Sequence, residues 1–192
     1  TDPDDSPELI YLEIARRALF LPLVTTLDRA TLDDIFSGSD YRLATLLQRL
    51  GFKSHEEVFN LLENHGYTGP GLEGSRLSTE EFQQFFEILQ QPELSERVLQ
   101  NAERNRQLFK GYAERKKLFA EGKFAIVDIG WCLNLQSMIR KLLTELDPST
   151  ELHAYHLGIL DNRWNVSKAG FYRTRYLQQE TPPARIQEYS IP

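Results

Sequence analysis

Cysteine occurs once in the 192 residues, at Cys132. A single thiol excludes an internal disulfide and a cysteine-rich zinc site. Such sparse usage fits a reducing compartment, so a cytoplasmic setting is expected. No window approaches the roughly 18 consecutive apolar residues of a membrane span. No basic segment followed by an apolar core marks a secretory signal. The patterns G-x-x-x-x-G-K-[ST], G-x-G-x-x-G and G-x-S-x-G are all missing. The four histidines lack metal-ligand spacing. His153 and His156 stand three apart in a strand-like run, where alternation would send them to opposite faces. No cofactor is implied by any of these patterns. The chain begins at Thr1 rather than Met, and the expectation is a piece of a longer polypeptide.

What is present describes a globular chain. Hydrophobic residues make up 41% and charged residues 26%, enough apolar content to bury a core. The net charge of −6 is unevenly spread. Residues 1–91 hold 7 basic against 16 acidic side chains, −9, and residues 92–192 hold 15 against 12, +3. An acidic front half argues against nucleic acid as a partner there, because neutralised phosphates supply most of that affinity.

The opening TDPDDSPE, residues 1–8, reads as a disordered lead-in. In LIYLEIARRALFLPLV, residues 9–24, Ile10, Leu12 and Ile14 alternate as in a strand. Arg16 and Arg17 then interrupt and Pro22 ends any regular element, so strand and short helix both remain open. Residues 28–121 look almost wholly helical. DRATLDDIFSG stops at Gly38, and DYRLATLLQRLGF has Asp40 as N-cap and Gly51 at its end. Ser54 with Glu57, and Ser78 with Glu81, have the spacing of capping boxes. GYTGPGLEGSR, with four glycines and a proline, must be a loop. Phe82, Phe85, Phe86 and Leu89 share a helical face. A long polar helix then runs from Pro92 to about Gly122.

At residue 123 the pattern changes. FAIVDI is a short continuous apolar run, expected to be a buried parallel strand. LQSMIRKLLTEL carries one apolar helical stripe, and ELHAYHLGIL, residues 151–160, reads as a second strand. Strand, helix and strand make a βαβ unit, parallel and right-handed. GFYRTRYL alternates as a further strand at an edge. The expected fold class is α/β: a small parallel sheet built on a C-terminal βαβ unit, with a large helical insertion or cap. Residues 9–27 and 123–192 would form the core, and 28–122 the helical part.

Ligands of open parallel sheets bind outside the carboxyl ends of the strands. Asp128 and Gly130 stand at such an end, and glycine permits close approach. Asn134 suits the N-cap of the next helix, whose free N–H groups attract anions. Gln136 falls in the first turn, and Trp131 offers a flat face for a sugar or base. A capping role for Asp128 and a core role for Trp131 are the structural alternatives. Arg16 and Arg17, set among aliphatic residues, would need a partner, either Asp128 or a ligand anion. DNRWNVSKAGFYRTR, residues 161–175, sets four basic residues against one acid with aromatics between. That composition suits a nucleotide or phosphosugar surface as well as an ordinary basic edge strand.

Three pieces, ARRALFLP (15–22), VDIGWCLNLQ (127–136) and YHLGI (155–159), resemble one known arrangement. It is the region that follows the haloacid-dehalogenase-like (HAD) segment in large bacterial proteins associated with glycosyltransferases and cell-surface polysaccharide synthesis. The chain departs from that pattern at Ala15, where the family has Ser, and at Leu133-Asn134, where it has Gly-Ser/Thr. The resemblance implies a phosphosugar or nucleotide-sugar ligand. The implied ligand-binding residues are Arg16, Arg17, Gly130, Trp131, Asn134, Gln136 and Tyr155, with Asp128 as the catalytic candidate. It also implies that the hydrolase nucleophile pair lies outside this chain. HAD chemistry needs Asp-x-Asp, and position 130 is Gly, so Asp128 alone cannot be both nucleophile and acid/base.

Two further readings compete with a polysaccharide-pathway enzyme. One is a non-catalytic interaction module docking onto other domains of the same larger polypeptide. The other treats residues 40–65 as a nucleic-acid-binding helix-turn-helix, which the −9 charge of residues 1–91 disfavours.

Overall fold

The computed structural model describes residues 9–36, 39–119, 123–128, 134–160, 172–178 and 187–188. Lead-in residues 1–8, Gly38, Gly122, most of the basic segment 161–171, and Gly130, Trp131 and Cys132 lie outside them. The chain divides into two units, residues 17–109 and residues 1–16 with 110–192. The whole is a mixed α/β structure with a large helical part and a small, mainly parallel sheet.

In the unit 17–109, caps and glycines delimit most of the helices. Helix α1 (Arg16–Phe20) runs into a 3-10 turn, Leu21–Leu23. Before α2 (Arg29–Phe36), Asp28 Oδ1 accepts from Thr31 N–H at 2.8 Å, an N-cap contact. The cap of α3 (Leu43–Arg49) is Arg42, not the expected Asp40. Tyr41 has φ 54°, which interrupts any right-handed helical run from Asp40. Asp40 instead accepts from Arg42 N–H at 3.2 Å in the turn before the helix. Helix α3 closes at Gly51, φ +80°, with Gly51 N–H donating to Gln48 O and Phe52 N–H to Leu47 O, a Schellman motif. A Cβ on Gly51 would stand 2.6 Å from Leu21 Cδ2, so close packing as well as backbone conformation demands glycine.

Ser54 Oγ caps α4 (His55–Asn64), accepting from Glu57 N–H. The Glu57 carboxylate accepts from Arg97 at 2.7 Å rather than completing the expected capping box. The second box is complete ahead of α5 (Thr79–Leu89), where Ser78 N–H donates to Glu81 Oε2 at 2.6 Å and Glu81 N–H donates to Ser78 Oγ. Between α4 and α5 the glycine-rich loop is tied down. Gln84 donates to Gly66 O and accepts from Thr68 N–H. Leu77 N–H donates to Tyr41 O beside the antiparallel bridge Arg42–Arg76.

The core of this unit draws Leu32, Ile35 and Phe36 from α2, and Leu43, Leu46 and Leu47 from α3. Val58 and Leu62 come from α4, and Phe82, Phe85, Ile88 and Leu89 from α5. The long α6 (Pro92–Arg115) adds Leu94, Val98 and Ala102, four residues apart on one stripe, while its other faces stay polar. It ends at Arg115, short of Gly122. Lys117 takes φ 56°, Lys117 N–H donates to Glu114 O, and Leu118 N–H donates to Ala113 O. A lysine thus fills the left-handed position of this Schellman motif, which no glycine rule would locate.

Burial pushes the Tyr67 phenol up from 10.0 to about 12, and the nearby charge of Glu81 acts in the same direction. The folded state therefore holds this proton where the unfolded chain has released it. The associated stability is complete below the unfolded pKa of about 10 and is lost as pH rises towards 12. Urea midpoints measured at about pH 9 and about pH 11.5 are expected to differ less for Tyr67→Phe than for the wild type. An equal drop in both proteins would contradict this origin for the alkaline loss.

In the other unit, residues 9–15 form no regular element. They are held at the end of α6, where Glu13 N–H donates to Tyr112 Oη at 2.9 Å and Lys116 Nζ donates to Tyr11 O at 2.9 Å. The sheet has the order β1-β2-β3-β4, from strands Lys123–Asp128, Glu151–Leu160, Tyr172–Gln178 and Gln187–Glu188. Strands β1, β2 and β3 are parallel, and β4 is antiparallel to β3. The strand expected at an edge, β3, is thus an inner one. Helix α7 (Asn134–Leu146) connects β1 to β2, as the βαβ reading requires. Asp147 closes that connection by accepting from Ser149 N–H and Oγ–H, which holds its carboxyl below the usual range.

Strand β1 corrects the expectation of a strand buried on both faces. Ile126 is buried, but Ala125 and Val127 are exposed, Val127 to 81%. The cause is one-sided covering of the sheet: Tyr155, level with Val127 on the inner strand β2, is exposed on the same side. Its register sets Phe124 beside Leu152 and Ile126 beside Ala154 on the covered side. It sets Ala125 beside His153 and Val127 beside Tyr155 on the open side.

Candidate functional site

Strand β1 ends at Asp128 and α7 begins at Asn134, so the seam is a carboxyl strand end feeding a helix N-terminus. Strand β2 runs on to Leu160, four residues past the position level with Asp128. A step is left in the sheet where β1 stops. Gly130 and Trp131, expected at this step, lie outside the described residues.

Gln136 stands in the first turn of α7 and is 1% exposed, the sole buried polar side chain among the described residues. A buried carboxamide needs hydrogen-bonding partners to offset its lost hydration. Its burial makes the start of α7 a fixed structural element. The rest of the helix follows its stripe, burying Met138, Ile139, Leu142 and Leu143 and leaving Arg140, Lys141 and Glu145 in solvent.

The other candidates are distributed differently. Tyr155 is 42% exposed on the open side of the sheet, in the row of Val127. Asp128 is the next position along β1. Its own row continues through His156 on β2 and Thr174 on β3. The register therefore brings His156 and Thr174, and not Tyr155, into line with Asp128. No sequence pattern marks either as a site residue. Strand pairing is what places them, and no local motif announces a pairing register. Arg16 and Arg17 are both exposed at the start of α1.

On the open side, His153 Nε2 lies 2.8 Å from Glu151 Oε1, and this pair adjoins the apolar patch of Ala125 and Val127. Among the described residues no group of three or more His, Cys, Asp or Glu side chains is placed to hold a metal ion. No described helix is long and apolar enough to cross a membrane. No protein-family model matches the chain, and no curated protein matches it significantly.

Proposed function

We propose that this chain is the ligand-binding part of a bacterial polysaccharide-biosynthesis protein of the glycosyltransferase or HAD-like class, acting in the cytoplasm. In this reading it takes a phosphosugar or nucleotide sugar at the strand-end loop 128–136. The supporting observation is the seam itself. A parallel strand ends at Asp128 and a helix begins six residues later at Asn134, the arrangement in which open α/β sheets bind ligands. Asp128 accepts from a sugar or ribose hydroxyl, the N–H groups at the start of α7 meet the phosphate, and Trp131 meets a ring face. Buried Gln136 keeps that first turn in place. Any hydrolytic nucleophile is supplied from outside this chain.

The test is a thermal-shift series with glucose 1-phosphate and UDP-glucose on the wild type and on Asp128→Ala. A ligand present at about 100 times its Kd stabilises by about 2.7 kcal/mol, a readily measured rise in melting temperature. The expected result is a rise in the wild type that is lost in the variant. A rise that survives Asp128→Ala moves the ligand away from the seam.

One observation favours a second reading. Val127, 81% exposed, and Tyr155 form an uncovered apolar row on the sheet, a kind of surface that in many proteins marks an interface. In that reading the chain is an interaction module docking onto another domain of its own polypeptide. A well-folded protein that responds to neither compound would favour it.

A further inference from the structure

Two arginines of the unit 17–109 are held side by side where their charges oppose the pairing. Arg42 and Arg76 are partners in the antiparallel bridge that ties the start of α3 to the loop before α5. The bond beside them runs from Leu77 N–H to Tyr41 O and flanks the pair without joining it. Arg42 and Arg76 are therefore a non-hydrogen-bonded pair, the kind with Cα atoms only about 4.5 Å apart and side chains closest together. Like charges directly opposite each other destabilise such a pairing. Both residues are exposed, and no described group accepts a hydrogen bond from either guanidinium. By contrast, Arg29 and Arg97 of the same unit each have two acceptors within 3.2 Å.

One carboxylate is shared between the two charges. Asp40 Oδ2 lies 3.7 Å from Arg42 Nε, too far for a hydrogen bond. The Asp40 carboxyl is held below its usual range first by the Arg42 N–H and next by the Thr45 hydroxyl, with smaller contributions from the Arg42 and Arg76 charges. Asp40 thus serves the turn more than the guanidinium groups, and two positive charges against one negative leave the cluster at +1. Tyr41, between Asp40 and Arg42, holds φ 54° with its ring 5.4 Å from Phe82 and 37% exposed. Glycine would take that conformation freely. A bulky residue there is strained, and such strain clusters at ligand sites.

We propose that Arg42 and Arg76 form a binding site for a phosphomonoester, whose oxygens take the guanidinium donors that the fold leaves unused. Two planar forks suit a phosphate carrying a charge of about −2. An extended acidic polymer fits less well, because residues 1–91 carry −9 and would repel it along its length. Salt screens that repulsion beyond about 8–10 Å, so a compact anion meets mainly the local pair. The site uses no residue of the strand-end loop, so it stands whether or not that loop takes a phosphosugar.

Proton–nitrogen NMR of the full chain tests the site. Each arginine has its own Nε–H signal, identified by its loss in Arg42→Gln or Arg76→Gln. On titration with glycerol 3-phosphate both signals are expected to shift together, with one Kd of about 1 mM or tighter. Replacing either arginine is expected to weaken binding tenfold or more at the signal that remains. Acetate is expected to bind at least tenfold more weakly than glycerol 3-phosphate. Without ligand, Arg76→Gln is expected to melt no lower than the wild type, because it relieves a like-charge contact. Two signals that stay in place, or that shift independently, would overturn the site wherever else the phosphate binds. Acetate binding as tightly as glycerol 3-phosphate would overturn the phosphomonoester assignment. A clearly lower melting temperature for Arg76→Gln would overturn the argument from repulsion on which the site is built.

Discussion

Phe85→Ala is expected to cost the unit 17–109 about 3–5 kcal/mol, the usual range for truncating a fully buried phenylalanine. Phe85 has no exposed surface and sits at the middle of an aromatic group, with ring centroids 6.3 Å from Phe36, 6.5 Å from Phe82 and 6.5 Å from Tyr67. Those rings come from three different stretches of the chain, so they cannot close together over the space left behind. Phe85→Leu keeps most of the volume and is expected to cost about 1–1.5 kcal/mol. Urea unfolding followed at 222 nm provides the measurement, because this unit is helical and both tryptophans, Trp131 and Trp164, belong to the other one. A loss below about 1 kcal/mol for the alanine variant would mean that the aromatic group does not carry this core.

Arg106→Ala is expected to cost about 3 kcal/mol, although it removes a charged residue from a polar helix. The guanidinium donates from Nε to Pro22 O at 3.0 Å and from Nη2 to Val24 O at 2.7 Å, and from Nη1 to the Glu103 carboxylate. Pro22 and Val24 are buried, in a stretch whose carbonyls have left the helical pattern. Deleting the guanidinium strands these acceptors, and an unsatisfied buried acceptor costs more than a lost surface contact. Arg106→Lys should lose nearly as much, since one ammonium cannot reproduce a fork aimed at two carbonyls. Glu103→Ala leaves both carbonyl bonds in place and is expected to be close to silent in the same urea measurement. A small effect for Arg106→Ala beside a large one for Glu103→Ala would place the stabilisation in the ion pair instead.

Much of the helical part is legible in the amino-acid sequence alone. Ser54 and Ser78 mark helix starts because a hydroxyl can serve an N–H three residues on, a wholly local event. Gly51 marks an end for a similarly local reason. The stripe of Phe82, Phe85 and Leu89 announces a buried face because helical periodicity depends on the chain alone. Length and apolar content likewise signal β1, α7 and β2 in order, with a parallel connection.

Other features need distant partners. Residues 9–15 alternate like a strand, yet they bond to Tyr112 and Lys116, about a hundred positions away in sequence. Capping at α3 shifts from Asp40 to Arg42 because Tyr41 adopts a left-handed conformation, next to the Leu77 bond that ties this loop to the one before α5. An apolar run such as FAIVD is the same string whether one face of its sheet is covered or both, and only what packs on the sheet leaves Val127 in water. At the seam, the strand end and helix start are in the sequence. The burial of Gln136, the separation of Tyr155 from the Asp128 row, and the alignment of His156 and Thr174 with Asp128 are not. The sequence by itself determined the elements, their order and their apolar faces, since propensity, capping and periodicity act within a few residues. Tertiary structure alone decided register, edge position and burial, because each depends on which distant segment lies alongside.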